Sequence, residues 1–532
     1  MPATRLTRLI FLLGLLLWLA ITLPSLTRYP TPHADESWLS QPALDFFDRG
    51  RFGLIHMPDF VGSSESYIIG RSFSVLVGLG YATMGLGLWQ GRLLSTFGVL
   101  LGSAIMYRLG GRLYGRWLGL AAGLLYLFAW RVLFAGHFIR PEVWVISAGM
   151  GLVLGLWQVR QRQLKTAAVR GYFALGLLSA AALDIYPSFA FHAVAIGAHV
   201  VLLNWRRKDW LAVGWFTGGG VLGTALVVAI QVWPLGFRQV LAQWQYAATN
   251  IYDFSGTVLI PIIGPLVNLV SQYGSLYFSS TRLSWIELAY VVLAISVVIA
   301  RRADADRFVL VASGLYFVAL GYIARGLNYT HMVNLTPWFV LLVTGGLDGL
   351  SRFIQPRLLR LASWGSPVVA AHWFPAALGL PLLGAFAVGT AVLSYRGATD
   401  TTAEDYAARL QALFPAQVQG VFGDAALWPY LKQYPYTYDL ALTVLPRPVT
   451  EAQAQSVTET LIAERQISTL LLKVPLLGNT LGQEGPIYWN AVLAYAEANC
   501  EMRGEVSGRN ANFEVMFDPN YVTRVYECKA AP

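Results

Sequence analysis

Charge is scarce in this chain: only 13% of its 532 residues are Asp, Glu, Lys or Arg. A soluble domain carries about a quarter, so most of the chain does not belong to that class. Cysteine is scarcer still, with Cys500 and Cys528 alone, both near the C-terminus. Neither lies in a CxxC or Cys/His pattern of metal-binding spacing. The C-terminal segment 397–532 has neither GxGxxG nor GxxxxGK, so no phosphate-cradling loop is expected there. No internal repeat or low-complexity tract is visible. The net charge of +9 raises the question of a nucleic-acid partner. Its basic residues, however, form short clusters between apolar runs, without an aromatic-interleaved patch, which argues against nucleic acid. Clusters of that kind read as cytoplasmic membrane anchors.

What the chain has in quantity is apolar surface. Aliphatic and aromatic residues make up 56% of it, and its mean hydropathy is +0.52. Apolar stretches of roughly 17–25 residues mark membrane spans. They fall near 9–27, 93–108, 117–135, 142–159, 171–186, 187–204, 211–233, 284–300, 308–324, 333–350 and 369–394. Arg5 and Arg8 before the first run resemble the start of a signal peptide. The run is long and lacks a small-x-small cleavage site before Pro24, so it reads as a retained span. Val61–Trp89 is also apolar but carries Glu65 and Arg71, and reads as a surface or re-entrant segment.

Positive charge tests that choice. Arg108, Arg112 and Arg116 follow the second span, and Arg160, Arg162, Lys165 and Arg170 the fourth. Arg206, Arg207 and Lys208 follow the sixth, Arg301, Arg302 and Arg307 the eighth, and Arg352, Arg357 and Arg360 the tenth. All share one face with Arg5 and Arg8 if Val61–Trp89 does not cross. The expected architecture is then a polytopic α-helical membrane protein of about eleven spans. Its N-terminus is cytoplasmic, its first external loop is 28–92, and the membrane domain covers 1–396. Residues 397–532 turn polar and read as a soluble extracytoplasmic α/β domain. Strands are expected at Val418–Phe422, Thr469–Val474, Phe513–Phe517 and Val522–Tyr526, and helices at Ala403–Leu413, Glu451–Glu464 and Tyr488–Ala498. A Cys500–Cys528 disulfide is expected there, because oxidation is permitted outside the cytoplasm and a terminal hairpin brings the two together.

Two acidic clusters fall on the external face. His33-Ala34-Asp35-Glu36-Ser37-Trp38 follows the first span, and Gly136-His137-Phe138-Ile139-Arg140-Pro141-Glu142 forms the turn between the third and fourth. A purely structural reading makes Asp35 the cap of a helix starting near Ser37 and gives Glu142 the first turn after Pro141. Carboxylates at membrane depth are nevertheless functional candidates. Glu65, Arg71, Asp184, Tyr186, Arg325, Asn328, Tyr329 and His331 share the face. Arginines beside carboxylates suit a lipid-linked phosphate substrate, and a carboxylate can take the proton of an acceptor hydroxyl. His33, Asp35 and Glu36 form too local a cluster for a usual metal motif. No cofactor is called for, and the sequence leaves a divalent metal open. Trp38–Phe47 reads as an interfacial amphipathic helix ending at Gly50.

The Asp-Glu pair after the first span, the surface helix behind it and the Arg-Pro-acid turn resemble polyprenyl-phosphate-sugar glycosyltransferases of GT-C architecture. The relatives are the protein O-mannosyltransferases, the lipid A aminoarabinose transferases and the bacterial RgtA/B/C/D-like group. Gly91-Arg92-Leu93-Leu94-Ser95, Arg112-Leu113-Tyr114-Gly115-Arg116 and Asn328-Tyr329 before Pro337 are similar to those families too. The resemblance covers residues 1–200 well and the rest loosely. It implies that Asp35 is the base, with Glu36 and Glu142 in the catalytic set, although those families usually have Asp at the position of Glu142. It implies a donor-phosphate site, to which Arg140, Arg71, Glu65, Arg325, Tyr329 and His331 are the candidates. The aminoarabinose transferases carry a Glu-Lys pair where this chain has Glu65-Ser66, which argues against aminoarabinose as its sugar. The implied function is inverting-type transfer of a hexose or pentose from a polyprenyl phosphate to an extracytoplasmic hydroxyl on a glycolipid, polysaccharide or protein. The competing reading is a multispan transporter or flippase of a lipid-linked or anionic substrate.

Overall fold

The computed structural model describes residues 3–30, 32–55, 65, 70–161, 165–233, 236–246, 284–323, 333–361, 374–439, 450–475, 486–507 and 521–529. In chain order the first helices are α1 Ala3–Thr22, α2 Ala34–Arg49, α3 Arg71–Met84 and α4 Leu88–Tyr114. Next come α5 Arg116–Phe128, α6 Trp130–Gly136, α7 Glu142–Arg160, α8 Lys165–Ala181 and α9 Ala190–Arg207. They are followed by α10 Trp210–Val227, α11 Phe237–Tyr246, α12 Ser284–Arg301 and α13 Asp304–Ile323. The remainder are α14 Thr336–Leu361, α15 Leu380–Thr399, α16 Thr402–Gln411, α17 Trp428–Leu431, α18 Glu451–Glu464 and α19 Pro486–Asn499.

The chain forms two compact units. One comprises Met1–Pro24, Gly70–Phe73 and Leu93–Tyr395, and the other Ser25–Ile69, Ser74–Arg92 and Arg396–Pro532. The second unit thus differs from a domain beginning at residue 397, because residues of the first loop and of 74–92 are built into it. Polar contacts account for this. Arg28 pairs with Glu404 at 2.9 Å and donates to the Ala398 carbonyl at 2.8 Å. Lys432 donates to the Leu86 carbonyl at 2.7 Å, and Arg465 to that of Ile55 at 3.1 Å.

The first unit is a helical bundle. α5 is buried from Leu118 through Phe128, with α1 and α14 packed against it. α8 lies along α10, α9 along α13, and α12 along α14. Leu12, Leu13 and Leu16 on α1 and Val221 and Leu222 on α10 point outward, as suits helices whose solvent is lipid. Among the described residues seven helices are long and apolar enough to cross a membrane: those over Thr4–Ser25, Leu88–Tyr114, Glu142–Arg160, Pro187–Trp205, Trp210–Val232, Val333–Ile354 and Leu380–Gln411. The pair α5 and α6, bent by 59°, makes an eighth if counted as one span. The other expected spans correspond to α8, α12 and α13, which fall outside that set. The bend lies at Ala129, whose ψ of 123° leaves the helical region. The Phe128 carbonyl there accepts a hydrogen bond from the Thr390 hydroxyl at 2.8 Å. α3, inside the apolar stretch read as non-crossing, has 14 residues. At 1.5 Å per residue it is about 21 Å long, short of a roughly 30 Å hydrocarbon core.

The second unit contains a five-stranded sheet. Its strands are β1 Val421–Gly423, β2 Tyr436–Tyr438, β3 Thr469–Pro475, β4 Cys500–Ser507 and β5 Tyr521–Cys528, in the order β2-β1-β3-β5-β4. β1 runs parallel to β2 and β3, while β5 is antiparallel to β3 and β4. Leu461, Ile462, Val492 and Ala496 of α18 and α19 pack on Phe422, Leu470, Leu472 and Tyr526 to form its core. Cys500 and Cys528 face each other in the β4–β5 register and are joined by a disulfide. The hairpin is therefore made by β4 and β5, whereas the strand expected at 513–517 lies outside the described residues.

Candidate functional site: two acidic clusters

The first cluster belongs to the second unit. α2 starts one residue after His33, which is extended (φ −114°, ψ 147°) and acts as the N-cap. Its Nδ1 accepts the Asp35 amide at 3.1 Å, and the Glu36 carboxylate returns to accept the His33 amide at 3.0 Å. Asp35 is thus inside the first helical turn and is not the cap of a later helix. Because Nδ1 is already accepting, it does not also donate to the Asp35 carboxylate, 3.5 Å away. The helix ends at Gly50 in the left-handed region, φ 70°, a conformation that favours glycine.

The neighbouring acids have opposite environments. The Asp35 side chain keeps 30% of its surface. That of Glu36 keeps 1% and is gripped by Arg92, itself fully buried, from Nε at 2.8 Å and Nη2 at 2.7 Å. The remaining Arg92 nitrogen, Nη1, donates to the carbonyls of Leu26 at 2.9 Å and Pro30 at 2.8 Å. One guanidinium therefore ties the start of α4 to the chain entering α2 and to α2 itself. Glu36, expected in the catalytic set, is engaged by Arg92 in this geometry. Asp35 is the accessible carboxylate of the two. Tyr430 lies near Glu36 and Arg92; burial first, and then Glu404 and Glu36, hold its hydroxyl above its ordinary range, while Arg92 and Arg28 oppose them. Glu65, also in this unit, forms an isolated bridge with Gly53.

The second cluster belongs to the first unit. Pro141 precedes α7, and Glu142 is its first residue. Arg140 reaches over the proline to Glu142, with Nε 3.0 and 3.1 Å from the two carboxylate oxygens and Nη2 2.7 Å from one of them. Both residues are buried. Nearby in sequence, Arg131 on α6 pairs with Glu287 on α12 at 2.9 Å, again buried. Arg71 opens α3 and donates to the Ile230 carbonyl. Asp184 accepts the amide and hydroxyl of Ser72 and so holds the α3 N-terminus. This approach requires Gly70, where a Cβ would stand 2.0 Å from the Asp184 carbonyl oxygen. Arg325, Tyr329 and His331 lie outside the described residues.

Sequence reasoning missed two of these roles. Arg92 was visible within Gly91–Ser95 but without a function, and the Arg131–Glu287 pair left no local signal. Among the described residues no group of three or more His, Cys, Asp or Glu side chains is placed to hold a metal ion.

No family model matches the sequence, and no curated protein matches it. Solved structures do resemble the fold. ArnT from Cupriavidus metallidurans in the apo state aligns over 99% of this chain and 98% of its own, with a TM-score of 0.58 and 16% identity. The same protein bound to undecaprenyl phosphate aligns over 98% and 97%, with a TM-score of 0.55. An oligosaccharyltransferase of Archaeoglobus fulgidus, in complex with Zn and sulfate, aligns over 87% of this chain and 67% of its own, at TM-score 0.52 and 10% identity. The chain shares its fold with these proteins, over 98–99% of its length in the case of ArnT.

Proposed function

We propose that the protein is a glycosyltransferase that moves a sugar from a polyprenyl-phosphate donor to a hydroxyl outside the cytoplasm. The observation that carries this reading is the accessible Asp35 carboxylate, held on a helix whose neighbouring acid is locked by Arg92. The shared fold supports it, since the structures it resembles include ArnT bound to undecaprenyl phosphate.

In this mechanism Asp35 accepts the acceptor's proton as the acceptor oxygen bonds to the anomeric carbon. The bond from that carbon to the phosphate oxygen breaks with inversion, and polyprenyl phosphate leaves with the electron pair. Arg140 and Arg71 are assigned to the phosphate, whose charge a guanidinium can meet bidentately. A phosphate stabilised in this way needs less acid assistance than an alkoxide leaving group. Glu142 is assigned an orienting role beside Arg140. Glu65, Arg325, Tyr329 and His331 complete the proposed substrate set. The protein resides in the plasma membrane with its N-terminus in the cytoplasm and residues 397–532 outside.

Purified full-length protein is to be incubated with radiolabelled polyprenyl-phosphate sugars, hexose and pentose in parallel. Release of polyprenyl phosphate is expected, and Asp35→Asn is expected to lower turnover by about 10²–10⁴ while donor binding persists. Turnover near wild type per folded molecule ends the assignment to Asp35. Movement of lipid-linked sugar across liposomes without donor breakdown replaces the transferase by a transporter. For the topology, single cysteines at the exposed positions Asp48 and Glu505 are to be labelled with an impermeant reagent in intact cells, in a Cys500/Cys528-free background. One at Gln161, also exposed, stays protected.

A further inference from the structure

A basic cavity of about 840 Å³ in the first unit takes no part in the proposed reaction. Arg8 of α1, Arg108 and Arg112 of α4, Arg116 of α5, Tyr107 and Gln158 line it. The fold assembles the arginines. Arg108 and Arg112 are one helical turn apart on α4, and Gly115, with φ 97°, turns the chain so that α5 begins on Arg116. Glu142 and Gln158 are at opposite ends of α7, about 24 Å apart along the helix at 1.5 Å per residue. The cavity therefore lies far from the Arg140–Glu142 pair within the same bundle.

Four guanidiniums converge here with no acidic side chain in the lining. Arg116 donates to the Thr4 hydroxyl at 3.2 Å. Among the described residues none of the four forms an ion pair with a carboxylate. Surface arginines that only anchor a span reach out to bulk headgroups. These four are exposed as well, but they also border a cavity whose wall includes Phe11, Leu12 and Leu154, with Phe11 stacked on Tyr107 at 4.7 Å. Leu12 and Leu9 open this wall to the lipid-facing surface. A ligand matching the cavity carries negative charge at one end and hydrocarbon at the other. Basic pockets between transmembrane helices are suited to anionic lipid headgroups.

We propose that this cavity is a binding site for the phosphodiester headgroup of an anionic phospholipid, on the membrane face that carries the N-terminal arginines. The assignment is independent of the transferase reading and stands if that reading fails.

The test is native mass spectrometry of the purified full-length protein in detergent, with phosphatidylglycerol or phosphatidylcholine added. One phosphatidylglycerol is expected to be retained at concentrations where phosphatidylcholine dissociates. The double variant Arg108→Gln/Arg112→Gln is expected to weaken retention about 30-fold, roughly fivefold for each charge lost. Gly111→Leu keeps every charge and fills the cavity instead; a Cβ there meets nothing closer than the Gly119 Cα at 3.9 Å. It is expected to abolish retention, and it decides the matter if the arginine variant does not fold. Glycerol 1-phosphate at millimolar concentration is expected not to displace the lipid. Equal retention of phosphatidylcholine, unchanged retention in Gly111→Leu, or displacement by glycerol 1-phosphate as effective as by phosphatidylglycerol each overturns the proposal, the last in favour of a soluble-phosphate site.

Discussion

The two buried arginine–glutamate pairs beside the candidate acids differ in how much chain they enclose. Glu36 and Arg92 are 56 residues apart, and Arg92 also holds the Leu26 and Pro30 carbonyls. Arg140 and Glu142 are two residues apart across one proline. The first pair closes a long loop and satisfies backbone groups that have left water. The second fixes the local geometry of a turn. A similar bidentate contact is thus a clamp on the fold in one place and a setting of two side chains in the other.

Removing Arg92 is the hardest way to break this contrast. Arg92→Leu leaves Glu36 charged and buried, which costs about 3–5 kcal/mol, and the expected result is a large fall in Tm or in folded yield. Replacing both partners sharpens the comparison. Glu36→Met/Arg92→Met is expected to remain destabilised, because the Leu26 and Pro30 carbonyls and the His33 amide lose their partners at about 1–3 kcal/mol each. Arg140→Met/Glu142→Met removes a contact between residues only two apart, and exchanges of buried pairs are often less costly than breaking them. It is expected to lower Tm less than the first double variant does and to lose turnover. Equal melting behaviour of the two double variants would falsify the distinction.

Reduction of the Cys500–Cys528 disulfide comes next. The two cysteines are 28 residues apart, and opening the link is expected to destabilise the second unit by about 2–4 kcal/mol. Proteolysis with and without reductant, read by the first cleavage sites between 396 and 532, checks it. Arg71→Ala is expected to raise the donor KM about tenfold with kcat little changed, the size of one charge-assisted hydrogen bond to ground-state phosphate. A fall in kcat at constant KM gives Arg71 a different role.

Much of the fold was legible in the sequence, for identifiable reasons. Period and length marked eight of the expected spans, counting the bent α5–α6 pair as one; the Glu451–Glu464 helix and the strand at Thr469 lay where apolar spacing placed them. β4 was missed because its side chains hardly alternate: Glu501, Met502 and Arg503 are all exposed, and a bulge interrupts the register between Met502 and Gly504. β2, with three residues, offers too few positions for a period. The start of α2 was misread because histidine is not among the preferred N-caps, yet here the His33 ring accepts the amide that Ser or Asp usually takes. The two acids of Asp35–Glu36 look equivalent in the sequence. Their difference depends on Arg92, and no local pattern announces a partner so distant.

The bend at Ala129 bears on how the bundle moves. A broken helix inside hydrocarbon exposes carbonyls that must find a partner, and such breaks invite interpretation as hinges. The Phe128 carbonyl is instead held by Thr390 from α15, and just past the bend Arg131 is paired with Glu287 on α12. The joint is fastened on both sides. Thr390→Val is expected to cost only about 0.6 kcal/mol, the average for such bonds between membrane helices, measurable as a small shift in thermal melting. With its fastenings intact, the bend is tied to α15 on one side and to α12 on the other, and α6 leads directly into the turn that carries Arg140 and Glu142.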